Sequence, residues 1–95
     1  MDKDKQMQEV LNILQEEAAE VVVAASKVMR FGIDTVHEGH TNRTRLAQEI
    51  GDVTAMIDLL VALNVGISHA DVEIARKSKL SKLIKYSNID PDLLQ

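Results

Sequence analysis

Two pairs of acids share one helical spacing: Glu17 with Glu20, and Glu49 with Asp52. Carboxylates three apart lie on the same side of a helix, and a single such pair is usually a solvated face. Here both pairs also occupy the same phase of an apolar row. Glu17 and Glu20 immediately precede Ala18 and Val21 in the row Leu14, Ala18, Val21, Ala25. Glu49 and Asp52 immediately precede Ile50 and Val53 in the row Leu46, Ile50, Val53, Ile57. Steps of four, three and four residues mark the stripe with which an amphipathic helix faces a partner. If the two helices pack antiparallel along these rows, the four carboxylates converge. Four such anions repel and disfavour folding unless a cation joins them or some protonate. Hard divalent cations suit carboxylate oxygens. Mg²⁺ in particular is commonly held by a few carboxylates plus water and substrate phosphates, so the acids, in a chain with a basic third helix, point to a nucleotide.

The elements that must position these acids are legible as periodicities. From about Lys3 to Phe31, Met7, Leu11, Leu14, Ala18, Val21, Ala25 and Val28 alternate by four and three with no Gly or Pro, predicting one long helix that ends at Gly32. Ile33 to Asn42 is turn-rich and reads as a loop, with His37 and His40 in no recognisable metal spacing and best taken as part of a solvated connector. Thr41 or Asn42 is a natural N-cap for a second helix running from about Arg43 to Asn64 and stopping by Gly66. Met56, Leu59 and Leu63 add another apolar row to it, more than one neighbour would cover. Gly51 in its interior should cost about 1 kcal/mol relative to Ala, which predicts a close approach to the backbone there. Ser68 to Asp71 resembles a capping box with Asp in place of Glu and opens a third helix from about Ala70 to Tyr86. Its apolar side is Val72, Ala75, Leu80, Leu83 and Ile84; its basic side is Arg76, Lys77, Lys79, Lys82 and Lys85. Residues 88–95, with Pro91, read as a tail.

Ninety-five residues fit a single domain, 1–95, yet bury only a modest fraction of their surface, so a core completed by a second subunit is expected. With Phe31 and Tyr86 the only aromatics, that core must be Val, Leu, Ile, Ala and Met. The lack of cysteine excludes disulfides, thiolate metal sites and a cysteine nucleophile. A net charge of −4 argues against broad binding to nucleic acid. No run approaches the roughly 18 apolar residues of a membrane span, and the polar first residues carry no apolar signal segment, so the cytoplasm is the expected compartment.

The pattern Glu16-Glu17-Ala18-Ala19-Glu20, then 28 residues, then Glu49-Ile50-Gly51-Asp52 resembles the Glu-Glu-x-x-Glu, spacer, Glu-x-x-Asp signature of the all-α nucleoside triphosphate pyrophosphohydrolases of the MazG-like superfamily. The resemblance covers both motif-bearing helices. It implies that Glu17, Glu20, Glu49 and Asp52 ligate Mg²⁺, with Mn²⁺ as a substitute, and that Glu16 positions or deprotonates the attacking water. It also implies basic residues after the second motif that hold phosphates. Arg76, Lys77 and Lys79 are candidates by location, and they equally fit a solvated basic face. Lys27 and Phe31 fall on the flank of Glu17 and Glu20, so Lys27 could reach phosphate and Phe31 could stack on a base or simply pack in the core. Asn42 and Arg43 could contact nucleotide or cap the second helix.

These readings combine into an all-α antiparallel helical bundle of three main helices per chain, whose four-helix-like core is completed by homo-oligomerisation. The expected activity is Mg²⁺-dependent hydrolysis of a nucleoside or deoxynucleoside triphosphate to the monophosphate and pyrophosphate. The alternatives are phosphoribosyl-ATP pyrophosphohydrolase, which is similar in size and acidic motifs, and a noncatalytic helical dimerisation or adaptor module built on the same apolar rows. The first expects a shorter linker than the segment holding Arg30-Phe31-Gly32 and Asn42-Arg43, and a lysine or glycine near Gln15. The second leaves the shared phase of the acids unexplained.

Overall fold

An uninterrupted run without Gly or Pro forms helix α1, Lys3–Phe31, the longest element of the computed structural model, which describes residues 2–95. Asp2 caps it, its carboxylate accepting from the Lys5 amide at 2.9 Å. Gly32 closes it with φ near 98°, a conformation that suits Gly, while its N–H reaches the Val28 carbonyl. The segment read as a loop is more ordered than its composition suggests. Val36–His37 (β1) and His40–Thr41 (β2) pair antiparallel in the register Val36 to Thr41 and His37 to His40. The two-residue turn places Glu38 and Gly39 at φ of 51° and 81°, the double positive φ that matches strand twist in a tight hairpin.

Helix α2, Asn42–Ala62, follows at once, with Thr41 as its N-cap accepting from the Thr44 amide at 3.1 Å. Three bonds stitch its start to the chain that leaves α1. The Asn42 amide donates to Thr35 O at 3.0 Å, the Arg43 amide to Ile33 O at 2.8 Å, and the Asn42 side-chain nitrogen to Gly32 O at 2.9 Å. The two helices therefore run back antiparallel. Gln6, Val10 and Ile13 share one cavity with Met56, Leu59 and Leu63, while Lys27 and Phe31 share another with Asn42.

The expected helix faces hold in part: Leu14, Val21, Ala25 and Val28 on α1 and Leu46, Val53 and Ile57 on α2 are half-buried. On α1 the inward row is Val10, Leu14, Glu17, Val21, Ala24 and Val28, whereas Leu11 and Ala18 are exposed. On α2 it is Asn42, Leu46, Glu49, Val53, Met56, Leu60 and Leu63, whereas Ile50 is 50% exposed. Asn42 sets the phase: it is 4% exposed, and positions seven, fourteen and twenty-one residues beyond it must face the same way. Glu17 and Glu49 thus lie in the seam rather than beside it. The close approach expected at Gly51 is absent within this chain, since a Cβ built there meets no atom within 4 Å.

The chain divides at Val65 and Gly66 into two compact units. The second contains helix α3, His69–Tyr86, opened by the expected capping box. The Ser68 amide donates to Asp71 at 3.0 Å and the Asp71 amide donates to Ser68 Oγ at 3.1 Å. The stretch read as a tail contains a 3₁₀ turn, Pro91–Leu94, that packs on α3 and buries Leu94. Asp90 starts it by accepting from the Asp92 amide. Secondary structure is all-α apart from the small hairpin. Among the described residues no helix is long and apolar enough to cross a membrane.

Candidate metal centre and adjoining pocket

Because the acids share the seam of an antiparallel pair, residues distant in sequence meet. Glu17 from α1 and Glu49 and Asp52 from α2 each offer a carboxylate oxygen, and these oxygens lie within 4.8 Å of one another. Glu17 and Glu49 are half-buried; Asp52 is exposed. Partial desolvation is the largest cause that raises the Glu17 pKa above its ordinary 4.5. The charges of Asp52 and Glu49 come next, then a hydrogen bond to Asp52 that only the protonated acid can donate, then the charge of Glu20. Without a cation these surroundings favour the protonated form of Glu17 over the charged one.

Its donor set fits a hard divalent ion. All the donors are carboxylate oxygens, and a trio of them leaves coordination positions for water and phosphate. Of the expected ligands, Glu20 stands outside this trio, exposed one turn further along α1, and is felt by Glu17 through its charge. Glu16 is exposed beside Glu17 and is likewise outside the trio.

Toward the C-terminal end of α1, Lys27, Phe31 and Asn42 join Thr35, Val36 and His37 around a cavity of about 290 Å³. The Arg30 guanidinium stacks 5.0 Å from the centroid of the Phe31 ring, which is itself 59% exposed. Asn42 both lines this cavity and holds the loop. Arg43 instead turns to Asp34, with its Nη2 at 2.9 Å from the carboxylate. The basic candidates Arg76, Lys77 and Lys79 lie on α3 in the second unit. There Arg76 is engaged by Glu73 through two bonds of 2.8 and 2.6 Å, a forked pairing that lowers the Glu73 pKa and raises that of Arg76. Arg76 and Lys77 border a cavity of about 280 Å³ beside Leu94.

Sequence reasoning passed over two features. The wall formed by Thr35, Val36 and His37 depends on a hairpin whose turn begins with Glu rather than the usual Asn, Asp or Gly. Arg45 sits one turn before Glu49 and one turn after Asn42; its Nη2 is 3.4 Å from Glu38, while its Nε is buried without a hydrogen-bond partner among the described residues. Its seam phase, four residues before Glu49, was the available signal. Comparison with family models, with curated proteins and with solved structures returns no match to the chain.

Proposed function

We propose that this protein is a Mg²⁺-dependent nucleoside triphosphate pyrophosphohydrolase, in which water attacks the α-phosphorus and the products are nucleoside monophosphate and pyrophosphate. The observation that carries the reading is the meeting of Glu17, Glu49 and Asp52 from the two helices bearing the acidic motifs. The likeness of those motifs to the MazG-like superfamily supplies the reaction type.

When bound, Mg²⁺ supplies charge neutralisation of phosphate oxygens and activation of water. Glu17, Glu49 and Asp52 hold it, and Glu20 adds a fourth carboxylate from the next turn of α1. Glu16 positions the attacking water or takes its proton. The buried Nε of Arg45, which has no hydrogen-bond partner among the described residues, is a donor on the same helix pair and suits phosphate or sugar oxygens. Arg76, Lys77 and Lys79, which the resemblance offers for phosphate, belong to the second unit, where Arg76 is held by Glu73.

The protein assembles, in this reading, as a homo-oligomer in the cytoplasm. The exposed Val22, Met29 and Ile50 are apolar surface that a second copy would cover. The test is turnover of a nucleotide panel with Mg²⁺ in ¹⁸O-labelled water. Label in the monophosphate and none in pyrophosphate is expected. Labelled orthophosphate with nucleoside diphosphate would overturn α-attack, and a protein indifferent to Mg²⁺ would return the chain to the adaptor reading.

A further inference from the structure

We infer that the cavity between the end of α1 and the β1–β2 hairpin receives the nucleobase and reads its Watson–Crick edge through Lys27 and Asn42; this rests on the nucleotide reading above and extends it from the phosphates to the base. At about 290 Å³ the cavity suits a ring system rather than a whole nucleotide. Phe31 and Val36 provide apolar walls for a flat heterocycle, with Thr35 and His37 completing the lining.

The polar groups are few and opposite in character. Asn42 is 4% exposed, and its side-chain nitrogen is committed to Gly32 O at 2.9 Å, which leaves its carbonyl oxygen as the acceptor. Lys27 brings donors only. An acceptor and a donor lining one cavity can together meet the edge on which every base pairs an N–H with a neighbouring oxygen or ring nitrogen. Because one bond holds both the amide orientation and the loop, the acceptor is set before ligand arrives, and less ordering is needed on binding.

The spacing toward the acids agrees. Asn42 precedes Glu49 by two turns of α2, a rise of about 10 Å, which leaves room for the sugar between base and phosphates. Arg45 stands within that interval, with its buried Nε lacking a partner among the described residues. A nucleotide laid from the hairpin to the acids would pass the one side-chain donor left unpaired in the interior among those residues.

The experiment omits both metal and phosphate. Each of the four common ribonucleosides is titrated into Mg²⁺-free protein while ¹⁵N–¹H resonances of the Asn42 side chain and the Val36 and His37 amides are followed. At least one nucleoside should shift these signals, and its counterpart methylated on the Watson–Crick edge should bind at least 10-fold more weakly, as sites built on hydrogen bonds reject ligands that cannot make them. Lys27→Met, with unchanged helicity, should weaken the parent nucleoside and narrow that ratio toward one. No shift at the hairpin with any nucleoside, equal binding of the methylated form, or an unchanged ratio in Lys27→Met would overturn the inference. The pyrophosphohydrolase reading fails separately, on Mg²⁺-dependent product formation, so the two can fall independently.

Discussion

Glu17 on α1 and Glu73 on α3 are the same side chain on long helices, and their neighbours drive their protons in opposite directions. Glu17 is partly desolvated in a helix seam and meets other acids across it, and its pKa is raised. Glu73 meets the Arg76 fork one turn away on its own helix, and its pKa is lowered. Asp71 behaves like Glu73, lowered by its backbone and side-chain bonds with Ser68. The α3 acids complete their electrostatics locally. Those between α1 and α2 are left incomplete by folding, and the proposed Mg²⁺ would complete them. The contrast teaches that acidic spacing alone says little about function; unmet charge in a seam says more.

The largest effect should come from neutralising the unmet charge. Glu17→Gln should lower kcat/KM at least about 100-fold, since a divalent ion contributes several kcal/mol of transition-state stabilisation. In Mg²⁺-free buffer near pH 7 the same change should raise Tm, because it removes a repelled carboxylate. Glu73→Gln should do the reverse, lowering Tm slightly and leaving the Mg²⁺-induced shift as in wild type. If both variants move Tm in the same direction, the distinction between the two regions collapses.

Acidity sharpens the comparison next. A raised folded-state pKa means that the contribution of Glu17 to stability is fully present below about pH 4.5 and is lost as pH rises through its folded value. Lowered values for Asp71 and Glu73 mean that their contributions are present above about 3.8 and 4.5 and are lost as pH falls through the folded values. Melts of the Mg²⁺-free protein should show both trends, and Glu17→Gln should flatten the first alone. Saturating Mg²⁺, at about 100 times its Kd, should add about 2.7 kcal/mol at neutral pH. That gain should shrink toward pH 4.5 as protons compete for the carboxylates. A Mg²⁺ shift of constant size across this range would mean that the ion binds elsewhere.

Smaller effects test the scaffolds. Ser68→Ala removes one half of the capping box and should cost about 1 kcal/mol, read from thermal or urea unfolding. Gly51→Ala should stabilise α2 by up to about 1 kcal/mol, because a Cβ there meets nothing within the chain. Light scattering on this variant adds a second reading. A more stable variant with unchanged mass is expected if the α2 surface at Gly51 stays free, whereas dissociation would show that a second copy packs on that glycine.

Local chemistry was enough to determine the three main helices and most of their ends, although α2 stops at Ala62 rather than Asn64 and the stretch read as a tail holds a 3₁₀ turn. The gap-free run of α1, Gly32 at its close, Thr41 ahead of α2 and the Ser68–Asp71 box all act within a few residues, so composition and spacing reveal them. The period of the two acidic pairs was equally plain. Which stripe of each helix is buried was decided by tertiary structure. Val10 and Leu11, or Ala24 and Ala25, serve either stripe, and a period of 3.6 residues does not choose between neighbours. The choice was made by the bonds tying Asn42 to Gly32 and Thr35, which fix the rotation of α2 against the end of α1. The hairpin that walls the pocket escaped for the same reason. Its strands are two residues each and too short for a pattern, and they are framed by a tight turn and by the bonds from Asn42 and Arg43 to Thr35 and Ile33, which no periodicity announces.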